Sequence, residues 1–269
     1  MRFAKTMRAK ALLLASLGIA LCPAAQAQQT QSRLFEITKS HKLRVCTFTG
    51  YYAISFRNPQ TQKLEGIDID LAGSLAKSLG AELQFVETNF GIFIADVQTN
   101  KCDVAMFGIG ITLKRAQAVE FTHPYLQTGI YAVVRKGDKI KTWDDIDKDG
   151  VSVAVTLGSY IEPFMQSYLK HAKVVSIAPP ATREQELMAR HVDAEIVDYP
   201  TAQKVQADFD WAQTIEPPTK LLATPFGYAV APGDQIWLNY LNLFVDTIKR
   251  NGELQEAAKR NNLGPIVAP

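Results

Sequence analysis

The stretch Cys102-Asp-Val-Ala-Met-Phe-Gly-Ile-Gly-Ile-Thr-Leu-Lys-Arg115, followed by Val119-Glu-Phe-Thr-His-Pro-Tyr125, decides the reading of this chain. An apolar run suited to a buried strand, Val104 to Phe107, stops at two glycines, Gly108 and Gly110, and a fixed cation, Arg115, comes five residues later. Backbone N–H groups at those glycines can be approached closely because nothing projects from Cα. The planar guanidinium matches a carboxylate in two bonds, a fit that lysine does not reproduce. The segment reads as a strand tip that holds an anion.

Working outward, strands alternate with helices. Leu43 to Phe48 suits a buried strand, and Leu71, Leu75 and Leu79 with Ala72 and Ala76 give a helical apolar face closed by Gly80. Leu83 to Val86 reads as the next strand and Ile92 to Val97 as a short helix. This alternation predicts a parallel sheet covered on both faces. The pattern restarts after Lys136-Gly137-Asp138, with strands at Val151 to Val155, Val174 to Ile177 and Ala194 to Val197. Ser159-Tyr160-Ile161-Glu162 and Thr182-Arg183-Glu184-Gln185 read as capping boxes, the first opening a helix to about Lys170. Gly129 to Val134 and Phe226 to Val230 flank this second unit as paired crossings. The last helix, with Trp237, Leu238, Leu241, Phe244, Val245 and Ile248 on one face, belongs with the first unit.

The N-terminus carries Arg2, Lys5, Arg8 and Lys10, an apolar run from Ala11 to Ala20, and Ala25-Gln26-Ala27, a small-x-small cleavage pattern. It reads as a secretory signal over residues 1–27. Leu21 precedes Cys22, where acylation needs a small residue, which argues against lipid attachment. Without those four cations the formal charge of +2 becomes −2, so the basic balance belongs to the leader and gives no reason to expect nucleic-acid binding. Later apolar runs fall short of the roughly 18 residues of a membrane span. Cys46 and Cys102 remain in the exported chain. With Cys46 in mid-strand and Cys102 at a strand start, their levels differ, and two buried free thiols are expected. His41, His123, His171 and His191 are scattered without ligand spacing, and neither a metal site nor a cofactor is expected.

The central segment resembles the signature of the bacterial extracellular solute-binding proteins of family 3, which capture amino acids for uptake. The resemblance runs from about Leu43 to about Leu263, with landmarks in the family's order. Tyr51 and Phe56 stand in Tyr-Tyr-Ala-Ile-Ser-Phe, Gly66-Ile67-Asp68-Ile69-Asp70-Leu71 is similar to a Gly-x-Asp-x-Asp step, and Phe90 precedes a helix. Asp198 closes Asp193-Ala194-Glu195-Ile196-Val197-Asp198 where the family keeps an acid for the ligand's ammonium. The resemblance implies a periplasmic-binding-protein-like type II α/β fold, two lobes joined by two hinge crossings with a ligand cleft between them. Lobe 1 would comprise 28–129 and 226–269, lobe 2 130–225.

It further implies that Arg115 grips an α-carboxylate with N–H groups of Gly108 and Gly110 beside it. The helix start at Ser159 and Tyr160 would face the same carboxylate, Asp198 would take the ammonium, and Tyr51 and Phe90 would wall the side chain. The implied protein is a periplasmic monomer that delivers its ligand to an inner-membrane ABC importer permease, and not an enzyme. Three departures stand out. Gly110 replaces a Ser or Thr, Tyr160 and Ile161 stand where smaller or polar residues are usual, and Phe48 takes the place of an acid common in relatives that bind cationic amino acids. They argue for a less polar pocket and against lysine or arginine. The chain also resembles periplasmic cyclohexadienyl dehydratases. In those a glutamate, the general acid, lies three residues after the aspartate; here that position is Thr201, a neutral hydroxyl.

Overall fold

The computed structural model describes residues 31–269, so the leader and its cleavage pattern lie outside the described residues. In chain order the elements are α1 (Arg33–Ser40), β1 (Lys42–Thr47), β2 (Gly50–Tyr51), β3 (Ser55–Arg57), β4 (Leu64–Glu65), α2 (Ile67–Leu79), β5 (Glu82–Glu87), α3 (Phe93–Gln98), β6 (Val104–Gly110), β7 (Glu120–Phe121) and β8 (Leu126–Thr128). There follow β9 (Ile130–Arg135), β10 (Ser152–Thr156), α4 (Ile161–Tyr168), β11 (Lys173–Ile177), α5 (Arg183–Met188), β12 (Ala194–Asp198), α6 (Tyr199–Asp208), β13 (Ala212–Ile215), β14 (Thr224–Val230), α7 (Gln235–Arg250) and α8 (Glu253–Arg260).

Two large sheets carry most of these elements, and β2, β3 and β4 form a small third one. The first runs β5-β1-β6-β14-β7, with β8 also on β14, and the second runs β11-β10-β12-β9-β13. Their centres are parallel, as the alternation predicts, at β1 with β5 and β6 and at β10 with β11 and β12. Both sheets are nevertheless mixed, because β14 lies antiparallel to β6 and β9 antiparallel to β12. The reason is connectivity: β9 and β14 follow the crossings between sheets, and a strand arriving from the other sheet need not obey the crossover rule of a helix-linked pair. Gly129 to Val134 and Phe226 to Val230, expected to be the crossings, are therefore largely sheet strands. The chain changes sheets at Gly129 and returns through residues 216–223. The boundary expected at 225/226 falls inside β14.

The central strand β6 is buried at every residue and continues through both glycines to Gly110, beyond the stop expected at Phe107. Pairing of Phe226 with Gly110 and of Gly227 with Ile109 holds that tip in the sheet. Helix α7 buries Trp237, Leu241, Phe244, Val245 and Ile248 on one face, while Leu238 is only partly covered. The indole N–H of Trp237 donates to the Asp103 carbonyl at 2.9 Å, which fixes α7 to the base of β6.

Two local expectations fail. Cys46 and Cys102 form a disulfide with Cα atoms 5.5 Å apart. Cys102 is not a strand residue but lies in the turn ahead of β6, and that turn sets it against β1, so strand level does not separate the two. The capping box at Ser159 is absent as well. Its hydroxyl has no partner, α4 begins one residue after Tyr160, and Glu162 accepts instead from the Gly158 N–H at 2.7 Å. At Thr182 the box forms as expected: the Gln185 N–H donates to the Thr182 hydroxyl and the Thr182 N–H to Gln185 Oε1, each at 3.2 Å. Among the described residues no helix is long and apolar enough to cross a membrane.

Candidate functional site

The residues singled out in the sequence cluster at the C-terminal ends of parallel strands from both sheets, where open α/β sheets leave a crevice. Tyr51 follows β1 in the small β2-β3-β4 sheet, Phe90 follows β5, and Gly108 and Gly110 end β6. From the second sheet, Ser159 and Tyr160 follow β10, and Asp198 ends β12. The two groups meet face to face. Arg115, 7% exposed, donates through Nη1 to the Gly110 carbonyl at 2.8 Å and through Nη2 to the Gly158 carbonyl at 2.9 Å. The Tyr51 hydroxyl donates to Asp198 Oδ2 across the same seam. Asp198, 5% exposed, also caps α6 by accepting the Thr201 N–H at 3.3 Å on Oδ1.

Beside this seam lies a cavity of about 330 Å³, bordered by Phe48, Tyr51, Tyr52, Phe90, Ser159, Tyr160, Arg183, Asp198, Phe209 and Trp211, among others. Of the expected site residues it touches Tyr51, Phe90, Ser159, Tyr160 and Asp198, but not Gly108, Gly110 or Arg115. Two causes separate the last three. The Gly108 N–H, expected to face a ligand, is taken by the buried Asp68 carboxylate at 2.7 Å. Over Gly110 sits the ring of Tyr160: a Cβ built on Gly110 would stand 2.9 Å from Tyr160 Cδ1 and 3.0 Å from Thr224 Cγ2. The glycine and the bulky residue, separate oddities in the sequence, are thus one packing arrangement. Gly158 is forced in a similar way, with φ +74° and room for no side chain against the backbone of Phe90 and Gly91.

Burial governs the electrostatics. It lowers the Arg115 guanidinium to about 10, with Tyr160 and Tyr51 acting in the opposite sense, so Arg115 stays charged at neutral pH. Its cation also lies 5.8 Å from the Phe90 ring centre and 5.4 Å from that of Phe93. Burial, reinforced by Asp198, pushes the Tyr51 and Tyr160 hydroxyls well above the phenol range, so both are neutral donors. The Tyr160 hydroxyl feels Asp198, and in the opposite sense Arg115 and Arg183, and it has no hydrogen-bond partner. Such a surface can hold a small molecule that brings both an anion and a cation.

Sequence reasoning missed Arg183, Lys204, Tyr52, Phe209 and Trp211 on the cavity wall. One signal for Arg183 was available. It occupies the first turn of α5, where a cation opposes the helix dipole, so another interaction must account for it. Among the described residues no group of three or more His, Cys, Asp or Glu side chains could hold a metal.

Known proteins of this shape are numerous. The chain is 28% identical over 244 residues to the cyclohexadienyl dehydratase of Pseudomonas aeruginosa, covering 88% of this chain and 89% of the enzyme. It is 27% identical over 205 residues to the L-cystine-binding protein TcyJ of Escherichia coli, covering 74% of each. Among solved structures, an ancestral amino-acid-binding protein described as a precursor of cyclohexadienyl dehydratase superposes with a TM-score of 0.78 at 33% identity, over 85% of this chain and 99% of that one. The type II two-lobed α/β fold is common to these structures and to this one. Residues 43–263 match the family described as bacterial extracellular solute-binding proteins, family 3, and the chain belongs to that family.

Proposed function

We propose that the protein captures an amino acid, or a closely related small carboxylate, in the periplasm and hands it as a monomer to an ABC importer permease, without catalysis. Among the described residues the two lobes would be 31–129 with 224–269 and 130–223, the second boundary moved back from 225/226 to the start of β14. One observation carries the reading: both charges of the seam are satisfied by groups that imitate a zwitterion. The Gly158 carbonyl stands on Arg115 where a ligand carboxylate would, and the Tyr51 hydroxyl stands on Asp198 where an ammonium would. A ligand would replace these neutral partners with opposite full charges at both ends, and in a buried seam the added Coulomb attraction favours the exchange. Closure around it follows because Arg115 and Asp198 come from opposite sheets, so contacts to both exist only in the closed state.

Calorimetric titration of the exported chain against a panel of amino acids tests this. Arg115→Gln and Asp198→Asn each weaken binding by roughly 100- to 10,000-fold, on the cost of leaving one member of a buried charge pair alone. Undiminished affinity in both would reject the site. The relatedness to a cyclohexadienyl dehydratase keeps a second reading alive. Thr201, on the cavity wall where that branch has its acid, argues against it, and prephenate should give no phenylpyruvate.

A further inference from the structure

Arg183 is tethered from behind and open in front. Its Nη1 donates to the Ile196 carbonyl at 3.0 Å, and its Nε lies 3.9 Å from Glu195 Oε2 on the buried strand β12. Its Nη2 has no hydrogen bond to any described residue, although the side chain is 15% exposed and borders the cavity. Three residues of the same wall, Ser159, Tyr160 and Trp211, have a buried hydroxyl or indole N–H without a hydrogen-bond partner, and each of these groups can donate. The acceptors facing them are few: Asp198 is occupied by Tyr51 and Thr201, and Glu184 is the other acid on the wall. Lys204 adds a second cation, paired with Asp208 and 5.3 Å from the Tyr52 ring. Aromatic side chains form much of the remaining surface.

We infer that Arg183 is the anchor of a second anion subsite, and that the protein takes a dicarboxylate: an amino-acid head at Arg115 and Asp198, an apolar body along the aromatic wall, and a distal carboxylate on Arg183. This rests on the zwitterion reading of the head site and adds the class of side chain to it. With Asp198 assigned to the head and Lys204 paired with Asp208, the open edge of Arg183 is the cation that faces a side chain in the cavity, and it repels a basic one. A guanidinium already tethered by a hydrogen bond to the Ile196 carbonyl loses less freedom on gripping a carboxylate than a free one.

Three probes with the same head and similar length separate the possibilities: L-2-aminoadipate with a distal carboxylate, neutral L-norleucine, and cationic L-lysine. The unmodified protein should bind aminoadipate roughly 10- to 100-fold more tightly than norleucine, and lysine most weakly, on the strength of hydrogen bonds to charged groups. Arg183→Gln should bring aminoadipate within about 3-fold of norleucine while leaving norleucine unchanged, a selective loss expected of a bond to the distal group alone. Arg115→Gln should weaken both together. Because Arg183 also faces Glu195, the double variant Arg183→Gln/Glu195→Gln replaces the cation together with the buried carboxyl group behind it and serves if the single one does not fold. A purely structural Arg183 would lower the melting temperature and leave the ratio intact. That result, or tighter binding of norleucine or lysine by the unmodified protein, overturns the inference and spares the head site. Binding of none of the three, or indifference to Arg115→Gln, overturns the zwitterion reading itself.

Discussion

Gly110 and Tyr160 show how a site departs from its family's pattern without losing its shape. The ring fills the volume that a Ser or Thr side chain would claim, and it rests edge-on against Phe226, centroids 5.6 Å apart. Gly110→Ala should therefore drive Tyr160 off its seat and disfavour the closed form by about 1–3 kcal/mol, the usual cost of overpacking. Small-angle scattering would show a larger ligand-free particle, and Gly110→Ala/Tyr160→Ala should return it to the original dimension. At Tyr51 the sign reverses. Its hydroxyl competes with a ligand ammonium for Asp198, so Tyr51→Phe should tighten amino-acid binding by about 3- to 10-fold, the worth of one net hydrogen bond, measured by calorimetry. The residues that touch the cavity from β1, β5, β10 and β12 were legible because they sit in local patterns. The meeting of Gly110 with Tyr160 was not, since 50 positions separate them and only the fold brings them together. Arg183 was hidden for a different reason: its Thr-x-x-Gln context was read, correctly, as a helix cap.

Elements follow their sequence where local chemistry is sufficient and depart where partners come from afar. Thr182 caps α5 by a bond it finds within four residues, whereas Ser159 loses its cap because Glu162 turns to Gly158 and to Ser176 on β11. Denaturant unfolding should separate them, with Thr182→Ala costing about 1 kcal/mol and Ser159→Ala changing α4 within about 0.5 kcal/mol. The Cys46–Cys102 bridge closes a loop of 56 residues, and removing it with Cys46→Ala/Cys102→Ala should cost about 4 kcal/mol by chain entropy. For a chain of this size that lowers the melting temperature by about 8–16 °C, visible in calorimetry. The pairing was missed because a turn, not a strand register, positions Cys102. Strand direction was missed likewise: β9 and β14 look like any apolar strand, and nothing in their composition says which way they run.

For the molecule as a whole, two buried acids, Asp68 in the first turn of α2 and Glu195 on β12, govern the response to pH. Burial raises Asp68 to about 7, against hydrogen bonds from Tyr125 and Gly108, and raises Glu195 to about 8 despite Arg183. In each case the folded state keeps a proton that the unfolded state releases, so stability falls as pH rises from about 4 to about 7 for Asp68 and from about 4.5 to about 8 for Glu195, then levels off. Melting temperatures between pH 5 and 8 should therefore decline by several degrees, and Asp68→Asn/Glu195→Gln should flatten the slope. The two passages between the sheets carry a last consequence. Immediately before leaving the first sheet the outgoing chain is laddered to the returning one, Thr128 opposite Thr224 and Leu126 opposite Phe226. Joined so, they cannot flex one at a time. They act as a yoke with a single axle, which permits a swing of one half against the other and resists sliding or twisting between them.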